Sequence, residues 1–318
     1  MSKPGIIFMG TPQFAVPSLE ILIRNGYPVK AVVTAVDKPA GRGLKMRESA
    51  VKQVAVLNKI PVLQPVNLKD EGFVRKLSEI SAELFVVVAF RMLPEKVWSI
   101  PPLGTINLHA SLLPMYRGAA PINHAIINGD KITGVTTFVI EKEIDKGNIL
   151  LQEKTEIADD ETAGSLHDKL MDLGADLLLK TVGALAGNNI VPVPQDEMTL
   201  PEYLPPASKI SKDDCRIDWS EDSDRIYNFI RGLSPYPAAW TTLDSGGKII
   251  NIKILEAGKL TSTHSLTPGT VTYTNGDLMI AAGNGSVRVM HIQAEGRRAM
   301  STTDFMRGFR LSENSICR

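Results

Sequence analysis

Through the first half of the chain, short apolar runs alternate with segments whose apolar positions recur every three or four residues. Gly5–Met9, Pro28–Thr34 and Glu83–Ala89 are runs without a polar face, so they read as strands buried on both sides. Pro61–Leu63, Thr105–Leu108 and Val135–Ile140 are further strand candidates. Helical spacing predicts helices at about Gln13–Asn25, Ser49–Asn58 and Lys69–Ile80, and the pattern from Thr162 to Ala186 closes this half. Strand and helix in alternation predict βαβ units, hence an α/β domain around a mostly parallel sheet with both faces covered.

The texture changes at Asn188–Pro206. Pro192, Pro194, Pro201, Pro205 and Pro206 leave little room for periodic hydrophobics, and the segment reads as an extended linker. Beyond one helix at about Ser223–Arg231, the runs Ala239–Leu243, Ile249–Leu255, Gly269–Thr274, Leu278–Ala282 and Ser286–Ile292 are separated by turns such as Ser245-Gly246-Gly247 and Asn275-Gly276-Asp277. Short strands at that spacing predict a small C-terminal β-barrel, OB-like in preference to a sandwich. The expected domains are residues 1–188, a linker at 189–208, and residues 209–318.

Composition narrows the class. A chain of 318 residues exceeds one ordinary core, which supports two domains. Charged residues are 22% and hydrophobic residues 43%, ordinary for a folded globular chain. The apolar opening is interrupted by Gly10 and Pro12, too early for a signal peptide or a membrane span. Cys215 and Cys317 stand alone, without metal-ligand spacing, so no metal site and no disulfide scaffold are expected, and a reducing cytoplasm fits. The formal net charge of zero gives no bulk argument for nucleic acid, so any such partner must meet a local basic patch.

The chemistry concentrates at Thr105–Pro121, TINLHASLLPMYRGAAP. A strand ending near Leu108 carries Asn107 and His109 to the carboxyl edge of the sheet, where open α/β sheets bind ligands. Residues two apart on an extended segment share a face. An amide donor beside an imidazole can steady an oxyanion and manage a proton together. A lone histidine there reads at least as well as a strand cap; the cluster of turn-forming and polar residues after it favours the chemical reading. A second polar segment, Glu141–Gly147, supplies Asp145. Charged turns between strands are ordinarily just solvated, and spacing alone does not bring Asp145 to His109.

Taken together, Asn107-x-His109-x-Ser111-Leu112-Leu113-Pro114, Tyr116-Arg117-Gly118-x-x-Pro121 and Asp145-x-Gly147 resemble the signature of the folate-dependent formyltransferases. The resemblance extends to Phe8-x-Gly10-Thr11-Pro12-x-Phe14, Ile217-Asp218-Trp219 and Arg231-Gly232-Leu233-Ser234-Pro235-Tyr236-Pro237, and so covers essentially the whole chain. It implies a Rossmann-like formyltransferase domain and 10-formyltetrahydrofolate as the formyl donor, with Asn107, His109 and Asp145 as catalytic residues and no metal. It also implies folate contacts from Phe90, Arg91, Met92 and Leu93, and from the turn Ser111, Leu112, Leu113 and Pro114. The basic stretch Asp37–Arg47, DKPAGRGLKMR, is similar to a loop that some members wedge into the end of initiator tRNA. By that resemblance Arg42 meets tRNA; the positive charges of Lys38, Lys45 and Arg47 around it, and of Lys209 and Lys212 beside the linker, are expected to add to the footprint. The acceptor implied is the α-amine of methionyl initiator tRNA, and the enzyme a cytoplasmic monomer. After Arg42 the sequence departs from the pattern, with Met46-Arg47-Glu48 in place of a more basic, proline-bearing run.

Three rivals remain. A formyltransferase acting on an amino-sugar nucleotide would share the site but has no use for the basic stretch. A dinucleotide-dependent oxidoreductase would need a second glycine where the first turn reads Gly10-Thr11-Pro12-Gln13-Phe14-Ala15. A non-catalytic RNA-binding protein would have no need of Asn107, His109 and Asp145 together.

Overall fold

The apolar runs become central strands, as their lack of a polar face requires. In chain order the first part runs β1 (Ile6–Gly10), α1 (Val16–Arg24), β2 (Val29–Val33), β3 (Lys38–Ala40), β4 (Lys45–Arg47), α2 (Ala50–Leu57), β5 (Val62–Leu63), α3 (Glu71–Ile80) and β6 (Leu84–Val88). It continues with α4 (Glu95–Trp98), β7 (Thr105–His109), α5 (Pro121–Ile127), β8 (Ile132–Val139), β9 (Ile149–Glu156) and α6 (Ala163–Ala186). The computed structural model describes residues 3–40, 45–198, 203–260 and 264–318, and the chain falls into two units. One holds Met1–Gly118, Thr133–Thr155 and His167–Pro206; the other holds Ala119–Ile132, Glu156–Leu166 and Ala207–Arg318.

The first unit is a Rossmann-like layer structure. Its sheet runs β5-β2-β1-β6-β7-β8-β9, parallel from β5 to β7, with β8 antiparallel to β7. Every residue of β1 and β6 is buried. One face packs Ile7, Met9, Val33, Phe85 and Val87 against Leu77 and Val97. The chain leaves β1 toward β2 and β5 on one side, then crosses to β6 on the other. The carboxyl ends of β1, β6 and β7 therefore flank the point where strand order reverses, the place where such sheets hold ligands.

Helix boundaries follow local chemistry. The Ser49 hydroxyl accepts the Lys52 amide at 3.0 Å and the Asp70 carboxylate accepts the Phe73 amide at 2.8 Å, each an N-cap for the helix that follows. The helix expected from Gln13 begins at Val16, because Gln13–Ala15 form a separate tight turn and Pro17 occupies the first helical turn, where its missing N–H is not needed. The basic stretch read as a loop has paired arms: Lys38, Pro39 and Ala40 lie opposite Arg47, Met46 and Lys45.

The second unit continues with α7 (Ser223–Leu233), β10 (Ala239–Ser245), β11 (Lys248–Leu260), β12 (Val271–Thr274), β13 (Asp277–Ala281), β14 (Ser286–Ala294), β15 (Met300–Ser301), α8 (Thr302–Gly308) and β16 (Ile316–Cys317). The antiparallel order β12-β13-β14-β11-β10-β16 curls until Thr270, just before β12, bridges Ile316 in β16. This nearly closed barrel is OB-like, as expected. Gly269 makes the seam possible: its φ is +87°, and a Cβ there would sit 2.3 Å from the Cys317 carbonyl oxygen. Trp219, Ile230, Leu243, Ile252, Ile280 and Ile292 fill the core. The earlier segments join by specific bonds: the Asn123 amide donates to the Gly232 carbonyl at 2.7 Å, and the buried Arg231 guanidinium donates to the Glu161 carbonyl at 2.9 Å. Among the described residues no helix is long and apolar enough to cross a membrane.

Candidate active site

Strand β7 delivers the candidate pair. Asn107 lies opposite Val87 of β6 and Phe138 of β8, and His109, the last residue of β7, lies opposite Thr136. His109 is 7% exposed, with its ring edge-on to Phe138 at 6.5 Å between centroids. Its Nε2 lies 2.9 Å from the Tyr116 carbonyl oxygen. A carbonyl only accepts, so Nε2 carries the proton and the lone pair of the neutral ring sits on Nδ1. The Asp145 carboxylate stands 3.9 Å from that Nδ1, and its Oδ2 also accepts the Gly118 amide at 2.9 Å. Among the described residues, the side-chain amide of the half-buried Asn107 makes no hydrogen bond within the chain. The three residues singled out in the sequence thus share one patch at the carboxyl edge of the sheet.

The backbone that brings them together is unusual at two positions. Tyr116 has φ +59° and Asp145 has φ +53°, the left-handed region that side-chain-bearing residues seldom adopt. Such conformations persist only where the surroundings over-determine them. Gly147 explains the Asp-x-Gly spacing: a Cβ there would lie 1.7 Å from the Val139 carbonyl oxygen, so the turn can press against β8 only with glycine.

The turn Ser111–Pro114 is itself locked. The Ser111 hydroxyl donates to the Met115 carbonyl at 2.7 Å, while the Thr136 hydroxyl donates to the Ser111 carbonyl at 2.7 Å. The Gln152 amide donates to the Leu113 carbonyl at 2.8 Å. Ser111, Leu113 and Pro114 are buried and Leu112 half-buried. At the end of β6, Phe90 is half-buried, Arg91 and Met92 are exposed, and Leu93 is buried. The Arg91 guanidinium donates to the carbonyls of Pro65 and Val66 at 2.8 and 3.1 Å.

Of the basic stretch, Lys38 and Arg47 are exposed and directly opposed across the hairpin, and Lys45 is paired with Ala40 through the strand backbone. Arg42, the residue that the resemblance makes most important, lies outside the described residues. The base of the hairpin is clamped by Asp37, whose carboxylate takes hydrogen bonds from the Lys52 ammonium and, at 2.8 Å, from the Gln64 amide. The Lys52 hydrogen bond, then that of Gln64, holds Asp37 below the usual carboxylate range.

Lys209 and Lys212 lie within the second unit. They line a groove of about 1000 Å³ together with Arg216, Lys253, Tyr236 and Trp240. Tyr236 is 82% exposed, and the Arg216 guanidinium lies over the Trp240 ring at 5.8 Å. Tyr236, known from the sequence only as part of the Arg231–Pro237 motif, and Trp240 carry no local signal of this groove, because low aromatic content overall does not reveal where the few aromatics gather. The sequence reading also missed Gln195, Thr136 and Gln152, which carry no local signal. Among the described residues no group of three or more His, Cys, Asp or Glu is gathered as a metal site would require.

Two family models match the chain: Formyl transferase over residues 5–182, and Formyl transferase, C-terminal domain, over residues 209–310. A methionyl-tRNA formyltransferase of Bacteroides fragilis is 50% identical over 311 residues, which is 97% of this chain and 96% of that protein. A methionyl-tRNA formyltransferase of Flavobacterium johnsoniae is 46% identical over 315 residues, covering 99% of each. Among solved structures, the N-formyltransferase of Helicobacter canadensis, in complex with folinic acid and dTDP-3-aminofucose, superposes with a TM-score of 0.65 at 20% identity, covering 91% of this chain and 99% of its own. HypX of Aquifex aeolicus, in complex with tetrahydrofolic acid, gives 0.62 at 15% identity, covering 96% of this chain and 47% of its own. At these identities the solved structures speak to the fold.

Proposed function

From the premise that the chain belongs to the formyl transferase family, we propose that Asn107, His109 and Asp145 carry out its reaction. The reaction is transfer of the formyl group of 10-formyltetrahydrofolate to the α-amine of methionyl initiator tRNA, the step that prepares it for translation initiation. The observation that supports the assignment is the arrangement at His109: one ring nitrogen donates to Tyr116, and the other stands beside a carboxylate.

The folate supplies an electrophilic formyl carbon. The amine forms the new C–N bond, the bond from that carbon to N10 of the folate breaks, and one proton passes from the amine to N10. His109 takes up the proton at Nδ1, where the charge that forms faces Asp145. Asn107, with an uncommitted amide, donates to the oxygen as it gains charge. Ser111 is no nucleophile, since its hydroxyl is buried and donates to Met115. Phe90–Leu93 and Ser111–Pro114, side by side at the carboxyl edge, form the folate wall. Lys38, Lys45 and Arg47 on the hairpin arms, together with Arg42, Lys209 and Lys212, receive the tRNA through its phosphates. We assign catalysis and the basic hairpin's tRNA contact to residues 1–188, and the remaining tRNA contact to 209–318, joined by 189–208, in a cytoplasmic monomer.

The test is formylation of charged initiator tRNA by the purified protein with 10-formyltetrahydrofolate, run beside an amino-sugar nucleotide. Transfer to the tRNA alone is expected. Transfer to the sugar nucleotide with none to tRNA would overturn the acceptor assignment.

A further inference from the structure

The proline-rich segment after α6 does not simply leave the first unit. Val193 and Ile149 exchange two backbone hydrogen bonds, each 2.8 Å, which seats the segment beside the start of β9. Two residues on, Gln195 turns inward and is only 3% exposed. Its Nε2 donates to the carbonyls of Asp145 and Gly147 at 2.9 and 2.8 Å. Its Oε1 accepts the Arg117 guanidinium twice, from Nε at 3.0 Å and Nη2 at 2.6 Å. A primary amide has two N–H donors and two lone pairs, and here all four are used.

These bonds converge on one residue. Arg117 precedes Gly118, whose amide donates to the Asp145 carboxylate, so the backbone of Asp145 is held by Gln195 and its side chain by the segment that Gln195 grips. Asp145 sits at φ +53°, a conformation its own backbone does not favour, and it faces His109 Nδ1 across 3.9 Å. The two carbonyls and the guanidinium fork demand a terminus with two donors and an acceptor. A glutamate keeps the fork but presents its oxygens to two carbonyls; an asparagine is one methylene too short.

We infer that Gln195 and Arg117 are positioning residues, and that the Val193–Gln195 strap holds the Asp145 loop in the geometry that sets its carboxylate against His109. The inference rests on the reading that Asp145 acts in the reaction. The Gln195 amide spends all its donors and lone pairs on Arg117 and on the Asp145 and Gly147 carbonyls, so its effect on the reaction must pass through the Asp145 loop.

A double-mutant cycle on the full-length enzyme tests this, with kcat and KM measured for both substrates in Gln195→Ala, Asp145→Asn and the double variant. Gln195→Ala should lower kcat by about 10²-fold, the scale of an ångström's misplacement, with KM for the folate within about twofold. In the Asp145→Asn background the same change should lower kcat by less than about twofold, because the group it positions has already gone. An equal loss in both backgrounds, or wild-type kcat in Gln195→Ala, overturns the strap. Normal turnover in Asp145→Asn alone overturns the site reading beneath it. If Gln195→Ala melts below the assay temperature, Gln195→Glu keeps the Arg117 contact and removes only the donors. It should show the same kcat loss, and undiminished kcat would be equally fatal.

Discussion

At the residue scale, the chemistry depends on which nitrogen of His109 is already committed. Because Nε2 donates to the Tyr116 carbonyl, the proton taken up in the reaction goes to Nδ1, beside Asp145. His109→Ala and Asn107→Ala should therefore each lower kcat by about 10²–10⁴-fold while KM for the folate changes little. Steady-state kinetics would remove either residue from the mechanism if its variant ran at the normal rate. Gly147→Ala is the steric counterpart. Its Cβ would lie 1.7 Å from the Val139 carbonyl oxygen, so the Asp145 turn must move off β8. Urea unfolding should show a loss of about 1–3 kcal/mol, the usual scale of an overpacked contact. Asn107 and His109 were legible in the sequence because a strand has a fixed two-residue period. Asp145 was not legible by position, since 36 residues separate it from His109 and only the close press of Gly147 on β8 returns the turn to the strand end.

At the element scale, the basic hairpin sets like charges against each other. Lys38 and Arg47 are direct cross-strand partners, an arrangement that disfavours the pair until a polyanion neutralises it. Replacing both by alanine should raise KM for charged tRNA and flatten its dependence on salt by about one to two units of log–log slope, leaving KM for the folate unchanged. Arg42→Ala should act in the same direction. A parallel rise in the folate KM would mean instead that the hairpin supports the fold. Its base carries a pH signature: Asp37 is held low by hydrogen bonds from Lys52 and then Gln64, so this clamp is intact above the ordinary carboxylate range and weakens as pH falls through the depressed value. The sequence showed this stretch as basic and glycine-containing, yet gave no sign that its arms pair, because three-residue strands fall below any periodicity.

At the scale of the whole molecule, the closure of the second unit buries both thiols. Cys215 is 1% exposed and Cys317 3%, and burial pushes the Cys317 thiol up to about 12 and raises that of Cys215. A thiol reagent at pH 8 should label neither in the native protein and both in denaturant; rapid native labelling would mean that the barrel seam opens. The sign of the linked stability follows. Above the ordinary value of 9.0 the unfolded chain has lost the Cys317 proton while the folded chain still holds it, so stability falls as pH rises from there toward 12. Cys317→Ala should flatten that alkaline slope, read from the fluorescence of Trp219 and Trp240.

What the sequence by itself determined was local in origin. The unbroken apolar runs of β1 and β6 required a sheet covered on both faces, the turn-punctuated strands after Ser223 pointed to a barrel or a sandwich, and the spacing of Asn107 and His109 placed both on one face of an extended segment. The tertiary structure decided everything that depends on the chain returning to itself. It carried residues 119–132 and 156–166 into the second unit, closed the barrel through Thr270 and Ile316, and brought Gln195 under a loop 50 residues earlier. The reason is physical. Burial and backbone hydrogen bonding imprint a period on neighbouring residues, whereas an amide that satisfies two distant carbonyls leaves no trace in the residues around it.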